Sequence, residues 1–478
     1  MPNQIQSIII VGGGTAGWST AAALATNKNL SVTLIESSTI PTIGVGESTI
    51  PQINLFHNHT KFDIFKNLDW LASVDGLIKL TIDFNNFVNN KNDDKWIHPF
   101  FDFLDRDRMT DTFMNNTDKN EVEYVTSELA FGRLHKAGFI NNTRWSKMSC
   151  CGKAGAYQID AGLYSALLKQ ETMKATSITV LDAVVTEVVL SPDQNVQSLI
   201  LDNGVILTAD LYVDCSGFNS VLIDKVDSPW EEITSRLLVD SAVVAQLPYL
   251  DKTKQQSNST NCHALSSGWV WNIPLESRVG SGYIYSSQYT STEDAIEEFR
   301  QHLHDQYGYT KETINIRKQL NFKTGYRPAP WKNNVVAIGM SAFFAEPIES
   351  TAIASFQAAA MQLNELIKAP HISMVNKMKV YNEYNSGCVL GLFEFAEAHY
   401  TLTHRTDTPF WKYYNERPYS DELRQILDLY SNPDPTVKFD DEGIRKILGY
   451  YAIFTYPSWQ LMFLGYGHLP KSGVAPTK

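Results

Sequence analysis

The segment GGGTAGW, residues 12–18, lies between a continuous apolar run, Ile8 to Val11, and an alanine-rich stretch. No other feature of the 478-residue chain restricts its fold as much. The apolar run suits a strand buried on both faces. Gly12, Gly14 and Gly17 follow it with GxGxxG spacing. Gly12 permits a tight turn, Gly14 lets backbone approach a pyrophosphate, and Gly17 lets the next helix pack close to the strand. The free N–H groups of that helix, opening at Thr15 and Ala16, face the phosphates. A second strand, Val32 to Ile35, ends in Glu36, where an acid accepts hydrogen bonds from ribose hydroxyls. The unit reads as a Rossmann-like dinucleotide site, with a structural glycine turn as the alternative.

Two later segments favour FAD over NAD. LYVDCSGFNS (211–220) and NNVVAIGMSAFFAEPIEST (333–351) both run from an apolar strand into a glycine turn, the second at Gly339. Such late returns to the cofactor sheet characterise flavoproteins of the two-dinucleotide-domain type. Residues 182–217 read as a β-meander feeding back into that sheet. Within it Val185 is either an adenine contact or a structural valine. The expected fold class is α/β: an FAD-binding Rossmann-like module joined to a helix-rich substrate-binding module.

The net charge of −12 argues against a nucleic-acid partner, which needs concentrated Lys and Arg. It leaves room for a small anion held by backbone N–H groups. No stretch reaches the ~18 apolar residues of a membrane span. The start, MPNQIQ, has no basic, signal-like character. Five cysteines (150, 151, 215, 262 and 388) show no CxxC spacing, against both zinc and a disulfide framework. These features point to a cytoplasmic chain with neither metal nor membrane partner.

GWVWNIPL, residues 268–275, places two indoles two residues apart. In a strand, Trp269 and Trp271 share a face. Pro274 ends that strand or marks it as an edge. By itself the segment is compatible with nothing more than aromatic packing.

Taken together, several segments resemble one family, the flavin-dependent halogenases of the tryptophan-halogenase type. GGGTAGW and TIGVGESTIP (42–51) resemble its FAD motifs. GWVWNIPLESRVGSGYIYSS carries its W-x-W-x-I-P signature, AEPIESTAI resembles its Glu-Pro-Leu-Glu-Ser-Thr-Gly-Ile, and HRTDTPFW (404–411) resembles its C-terminal segment. The resemblance implies a reaction in which reduced FAD from a separate reductase, met without a stable complex, gives a flavin hydroperoxide with O2. Halide then attacks to form hypohalous acid, which halogenates an indole or another small electron-rich aromatic by electrophilic substitution.

The resemblance also implies roles. Lys79, in DGLIKLTIDFNNF, hydrogen-bonds the hypohalous acid or forms a haloamine; partial burial would favour the amine. Glu349 stabilises the cationic ring intermediate and removes its proton. Its plain alternative is to cap a helix, and Glu346 is its rival. Halide sits at the N–H groups of Thr351 and Ala352. Ile43, Val45, Glu47, Ser48, Gly339 and Ile353 join the cofactor set. Trp269 and Trp271 wall the flavin from the substrate. His98, Phe101, Phe103 and Ser350 face the substrate, with an aromatic core cluster the plain reading of the first three. Tyr450 and Tyr451 are candidates for a polar clamp. Two departures stand out: Thr81 and Ala352 occupy positions where the family generally has Gly. The second leaves open a larger halide than chloride.

The expected division is 1–95, first part of the FAD module; 96–150, a substrate-side insertion; 151–370, the FAD module continued with an inserted sheet; and 371–478, a helical cap. A homo-oligomer is possible. The alternatives in function are an aromatic monooxygenase that hydroxylates directly, and a non-catalytic FAD-binding protein. The first normally carries its own NAD(P)H site and lacks Lys79 with W-x-W-x-I-P; the second needs neither Lys79 nor Glu349.

Overall fold

The computed structural model describes residues 5–40, 47–90, 95–100, 155–432, 434 and 436–468. Ile43, Val45, Phe101, Phe103, Cys150 and Cys151 lie outside the described residues, as does the side chain of Glu47.

The apolar run becomes the strand Ser7–Val11 at the middle of a six-stranded sheet. Across the sheet the order is Trp331–Lys332, Val335–Ala337, Leu211–Asp214, Ser7–Val11, Ser31–Glu36 and Thr179–Asp182. All neighbours pair in parallel except the first two. Helices cover this sheet, which is why its central strands are apolar throughout. Thr15–Leu24 packs against both Ala161–Ala175 and Ala352–Lys368. The meander is present as the antiparallel strands Val185–Leu190, Val196–Leu201 and Ile206–Leu207. It leaves the parallel sheet after Thr179–Asp182 and returns at Leu211–Asp214.

A second, seven-stranded sheet stands beside the first. Its order is Ile316–Asn321, Ser241–Leu247, Val279–Tyr285, Gly268–Pro274, Ser259–Ala264, Thr81–Asn85 and Lys95–Pro99. Gly268–Pro274 therefore runs through the sheet's interior and is not an edge. It ends at Pro274, opposite Val279, where the ladder stops and the missing N–H costs nothing. Alternation divides its side chains. Trp269, Trp271 and Ile273 enter one core cluster, and Val270 enters another beneath the helix Thr292–Tyr307.

Glu47–Ser48, Ala156–Ile159 and Leu77–Lys79 form a small antiparallel sheet, whose last-named strand leads directly into Thr81–Asn85 of the seven-stranded sheet. After Phe343–Phe344 the described chain is helical, from Ala352–Lys368 to Tyr456–Gly465. Met374–Thr401, 28 residues long, is buried along its last third. There it brings polar residues into the interior. None of the described helices is long and apolar enough to cross a membrane.

Candidate active site

At the first glycine turn, Gly12 has φ +117°, and a Cβ there would lie 2.2 Å from the Cys215 carbonyl oxygen. Gly14 is extended and has open space where its Cβ would be. No side chain caps the helix that follows. Thr15 and Ala16 open it and are partly exposed. An uncapped helix N-terminus beneath open space fits a pyrophosphate. Glu36 stands at the end of the next strand, its carboxylate accepting from Trp18 Nε1 (3.0 Å) and Lys169 Nζ (2.5 Å). Gly339, at φ +88°, brings the late turn against Ala16. Ile353 is buried in the core shared with Trp18. Ser48 is buried with its hydroxyl 2.9 Å from that of Thr260. Val185 is half-buried against the apolar core under the meander, and no contact distinguishes it from a structural valine. The phosphate cradle and the acid beside it fit FAD.

Lys79 ends the strand Leu77–Lys79 and is wholly buried, beyond the partial burial expected from sequence. Its Nζ donates to the Thr49 carbonyl (3.1 Å) and to Ser350 Oγ (3.0 Å), and lies 4.8 Å from the centre of the Phe100 ring. Burial lowers its pKa to about 7, although the nearby Glu349 charge opposes that shift. At neutral pH the ammonium and the amine are therefore both populated. Thr81, the first departure, uses its hydroxyl to join Asp83 Oδ1 (2.8 Å) and Ser259 Oγ (2.7 Å). The side chain ties neighbouring strands together.

Glu349 and Ser350 occupy consecutive left-handed conformations, φ +64° and +58°. For side-chain-bearing residues each costs about 1–3 kcal/mol, and such strain persists only where the surroundings enforce it. The bend turns Glu349 inward, and the helix Ala352–Lys368 begins without a side-chain cap. The capping alternative is thereby excluded. Instead His98 Nδ1–H donates to Glu349 Oε2 (2.7 Å) and His399 Nε2–H donates to Oε1 (3.0 Å). Burial by itself would raise this carboxyl's pKa. The two histidines overcome it and hold the group down at about 2. Burial lowers the pKa of His399, and Glu349 pulls against that shift.

Trp269 and Trp271 lie 6.2 Å apart between ring centres at 63°, edge to face, both buried. Gly282 on the neighbouring strand makes room for Trp271: a Cβ there would fall 2.2 Å from the indole. Trp269 Nε1–H donates to Glu346 Oε2 (2.7 Å), and the Tyr400 hydroxyl donates to the same oxygen (2.7 Å). Burial pushes the Glu346 pKa up to about 7 against these two donors. The sequence rival of Glu349 thus belongs to the tryptophan side of the bend.

On the other side of Glu349, His98 meets Ser458 Oγ through Nε2 (3.1 Å). Phe100 lies 5.2 Å from the His98 ring centre, and Phe454 lies 6.2 Å from it, stacked on Phe395 at 3.7 Å. His98 is therefore bound to Glu349 as well as set among aromatic rings. Tyr450 is 73% exposed, which removes it as a buried polar clamp. Tyr451 packs against Tyr384 and Gly387. Thr351 is buried and Ala352 exposed at the uncapped start of the 17-residue helix, where an anion has free N–H groups to meet.

Among the expected site residues, Lys79, Ser350, Glu349 and His98 form one connected group. The structure adds Phe100, His399, Tyr400 and Ser458, none of which was singled out from sequence. For His399 and Tyr400 a signal existed. EFAEAHY places Glu394, Glu397 and His399 in an otherwise apolar helix end, and buried polar groups there require partners.

Residues 7–476 match the family model described as tryptophan halogenase. The tryptophan 6-halogenase ThaL of Streptomyces albogriseolus is 28% identical, over 99% of this chain and 91% of that protein. The tryptophan 7-halogenase RebH of Lentzea aerocolonigenes is 29% identical, over 90% and 82%. A flavin-dependent halogenase from Xanthomonas campestris superposes with a TM-score of 0.81 at 28% identity, covering 98% of this chain and 90% of its own.

Proposed function

Because the chain belongs to the tryptophan halogenase family, we propose how its own residues divide the labour of halogenation. The enzyme is an FADH2-dependent halogenase that uses halide and O2 and acts on small aromatic molecules. Enzymes of this kind need a separate flavin reductase. Direct hydroxylation is not the favoured reading. Bound reduced FAD would supply two electrons to O2, the other two coming from halide, so that one oxygen ends in hypohalous acid and the other in water.

The connected group from Lys79 to Glu349 carries the proposal. Lys79 has two donors fixed by Thr49 and Ser350, which leaves one N–H beside the Phe100 ring free for a ligand. The cation–π contact favours the ammonium there. We assign it the hydrogen bond to the hypohalous oxygen. As the ring attacks the halogen, that oxygen leaves as water with the lysine's proton. The ring becomes cationic at this moment. Glu349, ionised and gripped at both oxygens, supplies the negative charge beside it, and the arenium proton passes to this carboxylate. A carboxylate of depressed pKa is a weak base, but an arenium ion is a very strong acid, so the transfer remains downhill.

Phe100, His98 and Phe454 are assigned to the aromatic substrate, and Thr351 with Ala352 to the halide. The cradle from Gly12 to Gly17, with Glu36, is assigned to FAD pyrophosphate and ribose. A panel of indoles and phenols tests the reading, each incubated with FAD, a reductase and one halide, with products read by mass spectrometry. Halogenated product is expected with at least one member. Hydroxylated product in the presence of halide would contradict it.

A further inference from the structure

Glu346 is buried, and its two oxygens have opposite surroundings. Oε2 accepts from Trp269 Nε1–H and from the Tyr400 hydroxyl, both at 2.7 Å. Oε1 has no hydrogen-bond partner among the described residues. An ionised carboxylate has two equivalent oxygens and, when buried, needs donors on both. A carboxylic acid has one strong acceptor, the carbonyl oxygen, and one hydroxyl. The contacts of Glu346 favour the acid: with Oε2 as the carbonyl both donors are used, and a neutral hydroxyl left unpaired at Oε1 costs less than an unpaired charged oxygen. Among the described residues its hydrogen-bond partners are not basic: the strand Gly268–Pro274 presents Trp269, and the helix Met374–Thr401 presents Tyr400, itself stacked on Tyr414 at 4.8 Å. Glu349 offers the contrast, with a histidine on each oxygen.

The indole is unsymmetrical, and its χ2 torsion has two broad wells. In one of them Nε1–H reaches an acceptor; in the other it would be buried without one, at a cost of about 1–3 kcal/mol. Glu346 therefore selects the well that Trp269 occupies, and with it the edge-to-face contact to Trp271. We propose that Glu346 is a positioning residue that works as a neutral acid, its carbonyl oxygen fixing the Trp269 indole and so the tryptophan partition between flavin and substrate. This rests on reading the tryptophan pair as that partition.

Two measurements on the full-length enzyme test it. The first is an infrared comparison of wild type with Glu346→Gln at neutral pH. The wild type is expected to show the carbonyl band of a protonated carboxylic acid that the variant lacks; a difference confined to carboxylate bands would overturn the neutral acid. The second is the yield of halogenated product per reduced flavin consumed. Glu346→Gln keeps a neutral carbonyl acceptor and is expected to keep most of that yield. Glu346→Leu is expected to lose about tenfold, the scale of one buried hydrogen bond. Trp269→Phe removes the donor from the other side and is expected to lose a similar share, which covers the case in which Glu346→Leu fails to fold. FAD affinity, measured by flavin fluorescence, should hold in all three. An acid band in the wild type with undiminished yield in Glu346→Leu and Trp269→Phe would remove the partition, and the positioning role with it.

Discussion

Glu346 and Glu349 are separated by one helical turn's worth of sequence, are both buried, and have their pKa values pushed in opposite directions, Glu346 up to about 7 and Glu349 down to about 2. The reason is local chemistry. Glu346 meets an indole and a phenol; Glu349 meets two imidazoles. The left-handed pair Glu349–Ser350 is what sends the two side chains to different neighbours. Environments that push two carboxyls apart commonly mark a division of roles.

Glu349→Gln keeps the size of the side chain and removes its charge. Ring substitution is expected to slow by roughly a hundredfold or more, the scale of lost electrostatic or base catalysis. Oxidation of reduced flavin and FAD affinity are expected to hold. Product formation and reductant consumption, followed in one sample, check this. Near-normal turnover would take Glu349 out of the chemistry.

His399→Leu leaves Glu349 with one histidine. The Glu349 pKa, now about 2 and below its ordinary 4.5, is expected to rise. A depressed carboxyl pKa contributes stability that is present above pH 4.5 and lost as pH falls towards 2. In the variant that loss, and the acid limb of the pH–rate profile, should move to higher pH. An unmoved acid limb would show that His399 does not hold the charge.

Gly14→Val tests the cofactor cradle. The backbone there is extended and nothing stands where a Cβ would go, so the fold should survive. The added side chain fills the space assigned to the pyrophosphate. FAD affinity is expected to fall by roughly a hundredfold or more, the phosphates losing their approach to the helix N-terminus, with little change in melting temperature. Unchanged affinity would place the pyrophosphate elsewhere.

Some of this was legible from the chain and some was not. The GxGxxG unit could be read because its signals are local: an apolar run, three glycines and an acid at the next strand's end. The two indoles on one face followed from alternation alone. The buried environment of Lys79 could not be read, since Thr49 and Ser350 reach it from segments 30 and 271 residues away. The histidine pair on Glu349 has separations of 251 and 50 residues, and no local pattern encodes it. Phe100 was passed over beside His98 because a run of aromatic residues does not say which ring turns inward. The capping reading of Glu349 failed because Pro-x-Glu-Ser-Thr resembles a helix start, whereas the left-handed bend withdraws the side chain from it.

Lys79 is assigned to act after the oxidant has formed, and Lys79→Ala addresses that assignment most directly. The measurement follows reduced-flavin oxidation, halogenated product, and hypohalous acid trapped by an added small-molecule acceptor, across pH 6 to about 9, which brackets the lysine pKa near 7. In the wild type, product formation is expected to decline as pH rises through about 7 and the ammonium is lost. In Lys79→Ala, product from the bound aromatic should vanish and lose that pH dependence, while flavin oxidation and trapped hypohalous acid persist. A variant that forms no hypohalous acid, or one that still halogenates its bound substrate at the wild-type rate, would contradict the assignment.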